Sequence, residues 1–136
     1  TTRRGEASVA AGRATTGAMP ASTNAAASDA EEGSITGVAL LARIDRGETP
    51  PILDVRTESE FRSGHVPGAV NIPFTQVSSR MRDVPGSAGE DLVVYCGHGP
   101  RAYIAGAVLR RGGRARIVYM TGHFSGWQSA GLRVQR

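Results

Sequence analysis

Apolar residues fall in short blocks separated by turn-forming residues, and the blocks alternate between two periodicities. The run Val38-Ala39-Leu40-Leu41-Ala42-Arg43-Ile44 repeats at helical spacing, with Thr36 placed to cap it and Gly47 to stop it. Pro50-Pro51 breaks the chain, and Ile52-Leu53-Asp54-Val55 predicts a short buried strand. Residues 57–61 carry the capping and charge pattern of a short helix, ended by Gly64. A turn-rich stretch then leads to a brief strand at Val70-Asn71-Ile72, and Pro73 precedes a predicted helix over residues 75–82. Leu92-Val93-Val94-Tyr95 is a continuous β-prone block, as expected of a strand covered on both faces. A Gly/Pro-rich loop separates it from a predicted helix over residues 102–111, closed by Gly112-Gly113. Ile117-Val118-Tyr119-Met120 predicts a strand, and residues 122–130, carrying Trp127, a last helix in which Trp127 is core or rim packing.

Strands that alternate with helices imply right-handed crossovers, hence an α/β domain with a mostly parallel sheet flanked by helices on both faces. In such sheets ligands bind at the carboxyl ends of the strands. Asp54, Arg56 and Cys96 all fall there.

Composition narrows the picture. Residues 1–32 are mostly Ala, Thr, Ser and Gly, too poor in apolar groups to offset their ordering entropy, so a flexible arm is expected there and a single domain over 33–136. The arm's arginines suggest a transit peptide only faintly, because no amphipathic stripe accompanies them. Cys96 is the only cysteine, which excludes an internal disulfide, and His65, His98 and His123 are too scattered for a metal site. No cofactor is expected. No apolar run reaches membrane-spanning length and no signal-peptide core is visible, which leaves the cytoplasm as the default location. The net charge of +4 is modest, yet every acid lies at or before Asp91, while seven arginines follow it. A basic field suits a small anionic substrate better than nucleic acid, for which no interleaved aromatic patch is present.

The chemistry centres on Cys96. It ends a strand and opens the loop Gly97-His98-Gly99-Pro100-Arg101, which leads into a helix. Inward-facing amides and the helix N-terminus favour negative charge at that point, and so favour the thiolate, the reactive form of cysteine. A buried, inert core cysteine is the bland alternative, against which the Gly/Pro composition of the loop argues.

These segments resemble a known family. Asp54-Val55-Arg56, Glu60-Phe61 and Gly64-His65-Val66-Pro67-Gly68-Ala69-Val70-Asn71-Ile72-Pro73 resemble the N-terminal signature of rhodanese domains. Cys96-Gly97-His98-Gly99-Pro100-Arg101-Ala102 is similar to their active-site loop, and Gly122, Trp127 and Ala130-Gly131-Leu132 to their closing pattern. The resemblance implies a five-stranded parallel sheet and a sulfurtransferase that works through a Cys96 persulfide in two half-reactions. The donor would be thiosulfate or a persulfide, and the acceptor a thiol such as thioredoxin or glutathione, or cyanide.

Within that resemblance the amides of residues 97–101 cradle the sulfur. Arg101 either pairs with the donor or stiffens the loop through a carboxylate, and both readings stay open. His98 either touches the substrates or faces solvent. Asp54 and Arg56 stand behind the site, Arg56 is expected to pair with Glu60, and His65 stabilises its turn by hydrogen bonding. His123 departs from the pattern, standing where the second glycine of a Gly-Gly pair is usual. An exposed histidine at a helix start is the expected outcome; reaching toward the site mouth is the alternative.

Two rivals share the thiolate logic. A cysteine phosphatase or arsenate reductase uses five residues between Cys and Arg, whereas four separate Cys96 from Arg101 here, and no acid follows the loop to protonate a leaving group. A non-catalytic interaction or redox-sensing module would keep the fold without the chemistry.

Overall fold

The computed structural model describes residues 31–136; residues 1–30 of the expected arm lie outside the described residues, and its last two, Glu31 and Glu32, are in a strand. Five strands form one sheet: β1 (Glu31–Thr36), β2 (Ile52–Asp54), β3 (Val70–Asn71), β4 (Leu92–Tyr95) and β5 (Arg116–Thr121), in the order β1-β5-β4-β2-β3. The pairs β2–β3, β2–β4 and β4–β5 are all parallel. Among the described residues four α-helices accompany them: α1 (Gly37–Asp45), α2 (Glu58–Ser63), α3 (Pro100–Arg111) and α4 (His123–Ser129). Among the described residues no helix is long and apolar enough to cross a membrane.

The strand period of two explains the two cores. Leu53, Val55, Leu92, Val94, Cys96, Ile117 and Tyr119 lie in one buried cluster, packed with Ala102, Ala105 and Leu109 of α3. The intervening Ile52, Val93, Tyr95 and Met120 lie in the other, with Leu40 of α1 and Phe124 and Trp127 of α4. Both faces of the central strands are therefore covered, which is why the Leu92–Tyr95 block is apolar without alternation. Trp127 is core, its indole N–H donating to the Arg133 carbonyl at 2.9 Å.

Caps behave as their residues dictate. Thr36 accepts from the Ala39 amide at 3.0 Å to start α1. Thr57 and Glu60 close a reciprocal capping box on α2.

Two expectations are corrected. Residues 75–82 do not form a helix: Phe74–Gln76 and Met81–Asp83 are separate 3₁₀ turns. The amides of Gln76, Ser79, Arg80, Asp83 and Val84 all donate three residues back. Ser79 also donates its hydroxyl to the Gln76 carbonyl, competing with a longer helix. The strand β1 is an element that the hydrophobic pattern does not announce, since Glu31-Glu32-Gly33-Ser34 has no apolar alternation.

The segregated charges of the sequence are mixed in space. Arg110 meets Glu32, Arg116 meets Asp91 and Arg133 meets Asp45, so basic side chains from the last part of the chain are paired with acids from the first.

Candidate active site

Cys96 follows the last residue of β4, and α3 begins at Pro100, where a residue without an N–H is at no disadvantage. Between them the loop is held by α4. The amides of Phe124 and Ser125, in the first turn of α4, donate to the carbonyls of Cys96 and Gly97 at 2.9 and 3.0 Å. With those carbonyls tied to α4, the loop's own amides are free to face the sulfur. Gly99 donates to Sγ at 2.9 Å, and its φ of 133° belongs to the region that glycine alone enters easily.

The sulfur has no solvent exposure and lies in the α3-side core cluster. Burial pushes the thiol up, but hydrogen bonds from the His123 side chain and the amides of Ala102, Gly99 and His98 outweigh it and bring Cys96 down from 9.0 to about 7. The site thus favours a thiolate while excluding water.

Arg101 donates to both carboxylate oxygens of Glu60, at 2.7 and 3.2 Å. Of its two open readings, pairing with a carboxylate is the one the geometry shows. The same bond holds Glu60 down at about 2. Gly97 permits this arrangement, because a Cβ there would lie 2.9 Å from Arg101 Nη2.

The expected Arg56–Glu60 pair is not the one formed. Arg56 instead binds Asp54 through Nε and Nη2, at 2.7–3.1 Å, and donates to the Gly64 carbonyl at 2.7 Å. Its guanidinium lies 4.0 Å from the centre of the Phe124 ring. The reason is proximity: Asp54 is two residues away at the end of the same strand and fully buried, where a carboxylate needs a cation. Asn71 joins this frame, donating to the carbonyls of Asp54 and Arg56 at 3.0 Å each. Sequence reasoning did not single out Asn71; an amide side chain inside an apolar strand was the available signal.

His65 is tied to the residues on either side of its turn. Its Nδ1 is 2.8 Å from the Phe61 carbonyl, its ring stacks on Phe61, and its backbone bridges to Gln135. His98 is exposed at the loop's outer side, as is Pro100. His123 is not the exposed residue expected: it is 5% exposed, and its Nδ1 accepts from the Cys96 amide at 3.3 Å. The close approach of α4 to the loop pulls it inward, and only the tertiary contact reveals this. Among the described residues no cluster of His, Cys, Asp and Glu has the arrangement of a metal site.

Known proteins of one family are similar to this chain. The family model for the rhodanese-like domain matches residues 36–130. A protein named sulfurtransferase from Allochromatium vinosum is 31% identical over 100 residues, which cover 74% of this chain and 92% of that protein. A helix-turn-helix-type transcriptional regulator of Mycobacterium tuberculosis is 34% identical over 76% of this chain, but over only 45% of its own length. The solution structure of a rhodanese-like domain from Anabaena superposes with a TM-score of 0.67 at 25% identity, covering 77% of this chain and 80% of that one.

Proposed function

The chain belongs to the rhodanese-like domain family, and from that premise we propose that it is a sulfurtransferase whose Cys96 carries the transferred sulfur as a persulfide. The observation that carries the reading is a buried sulfur just past the end of β4 that accepts from the Gly99 amide of the glycine loop at 2.9 Å, in surroundings that lower the thiol to about 7. The relative named sulfurtransferase supports the same class.

In the first half-reaction the Cys96 thiolate attacks the outer sulfur of thiosulfate. A new S–S bond forms, the old one breaks, and sulfite leaves with the bonding pair. Total charge is conserved: thiolate and thiosulfate dianion become persulfide anion and sulfite dianion. The amides of His98, Gly99 and Ala102 solvate the anion in place of water, as preorganised dipoles do at an oxyanion. In the second half-reaction an acceptor thiolate or cyanide attacks the outer persulfide sulfur and returns Cys96 as thiolate. A covalent intermediate between two substrates gives ping-pong kinetics. Arg101, engaged by Glu60, stiffens the loop and adds positive charge near the sulfur.

The four-residue spacing between Cys96 and Arg101 makes a smaller ring than that of cysteine phosphatases, suited to one sulfur atom instead of a phosphate. One observation favours a second reading, a sensing or interaction module: the sulfur is sealed from solvent. Intact mass measurement after incubation with thiosulfate separates them. Gain of one sulfur, lost in Cys96→Ser, is expected of the transferase. No gain, with no hydrolysis of an aryl phosphate, would leave the module.

A further inference from the structure

The left-handed backbone at His123 has no structural need of an imidazole. Its φ of 54° makes it the one non-glycine residue with positive φ among the described residues, directly after Gly122 at 78°. Two successive left-handed residues start α4, and a side chain larger than glycine is disfavoured in that conformation. Strain of this kind persists where the surroundings enforce it, often at a working site.

The ring that this backbone delivers is aimed at Cys96. Nδ1 accepts from the Cys96 amide at 3.3 Å. Nε2 lies 3.5 Å from where a Cβ on Gly99 would stand, so the imidazole sits against the loop at both ends. Tyr103 closes the other side, edge-on with ring centres 5.8 Å apart. A neutral ring that accepts at Nδ1 keeps its proton on Nε2. Gly99, against which Nε2 rests, is the residue whose amide donates to the sulfur at 2.9 Å.

We propose that His123 is a positioning residue: in a Cys96–His123 pair it holds the Cys96 amide and packs against Gly99, keeping the loop donors aimed at the sulfur and so readying this chain for nucleophilic attack. The proposal deepens the sulfurtransferase reading and rests on it for the reaction the pair serves. The other titratable and charged groups around the pair are Arg101 and Tyr103 on α3, His98 in the loop, Tyr119 of β5 behind Tyr103, and Glu60 of α2, which occupies Arg101. None of them accepts from the Cys96 amide among the bonds described, so His123 is the side chain whose removal should be felt.

The test is the pH profile of Cys96 alkylation by iodoacetamide in the full chain, for wild type, His123→Gly and His123→Asn. Glycine relieves the left-handed strain, and asparagine enters that region more readily than most residues, so one variant carries the test if the other does not fold. Rates are scaled to their values near pH 10, which report access through the loop alone. Wild type should reach half its maximum near pH 7. The variants should be displaced to higher pH and react at least about threefold more slowly at pH 6, since each unit of displacement is about tenfold in thiolate fraction. Profiles that superimpose for a folded variant and wild type would overturn the proposal and leave His123 as packing. A displaced profile with no sulfur adduct from thiosulfate keeps the pair and removes the transferase; an adduct with an undisplaced profile does the reverse.

Discussion

Glu60 and Arg101, 41 residues apart, clasp each other through two hydrogen bonds and so fasten the start of α2 to the start of α3 beside the Cys96 loop. Glu60 Oε1 also accepts from the Thr57 amide at 2.9 Å, so one carboxylate both caps α2 and anchors the loop. Glu60→Gln keeps the capping group and removes the charge. We expect a loss of about 0.5–1 kcal/mol in urea unfolding, the range of a partly exposed pair. The larger effect should be a fall of about threefold to tenfold in kcat/KM for sulfur transfer, because the loop's aim is relaxed.

The same pair sets an acid dependence of stability. Glu60 in the folded chain stands at about 2 against an ordinary 4.5. A lowered carboxylate contributes stability that is complete above the unfolded value and is lost as pH falls through the folded one. The contribution therefore fades from about pH 4.5 to about pH 2. Thermal unfolding over that window should fall more steeply for wild type than for Glu60→Gln, and parallel curves would refute it.

Sulfur loading should follow the Cys96 thiolate. Its value is lowered from 9.0 to about 7, so single-turnover loading from thiosulfate rises with pH through about 7 and levels above it. The sign for stability is the same: the thiolate's contribution is present above pH 9 and lost as pH falls through about 7. A stopped-flow rate that is flat from pH 5.5 to 8.5 would contradict this.

Asp54→Asn leaves the Arg56 guanidinium, 5% exposed, without its anion. Breaking a buried pair from one side costs about 3–5 kcal/mol, so the variant should unfold at markedly lower urea or fail to accumulate. A change below about 1 kcal/mol would show that solvent or another group compensates the charge.

Gly106 on α3 faces the Tyr119 hydroxyl so closely that a Cβ would collide with it. Gly106→Ala should destabilise by about 1–3 kcal/mol through overpacking, despite alanine's better helix propensity. Adding Tyr119→Phe removes the colliding oxygen and should recover part of the loss. A double variant no more stable than the single would point elsewhere.

The local chemistry of the site was legible. Capping at Thr36 and Thr57, the buried Leu92–Tyr95 strand, the glycine loop and the thiol on it follow from residue type and spacing over a few positions. Arg56 pairs with Asp54 and not with Glu60, four residues on across the strand-to-helix turn, because the chain turns at Thr57 and points Glu60 at Arg101. His123 was misplaced for a related reason: its exposure depends on how closely α4 approaches the loop, which no local pattern reports.

By itself the sequence determined the layering, since side-chain direction in a strand or helix repeats over two or 3.6 residues and apolar blocks must be covered. It also determined that one sulfur nucleophile exists and that glycine and proline surround it. Tertiary structure alone decided which acid meets which guanidinium, that residues 74–83 stop at 3₁₀ turns, and that an imidazole lies behind the thiol. Those outcomes depend on contacts between segments far apart in the chain, where distance and desolvation choose among partners that the sequence leaves equivalent.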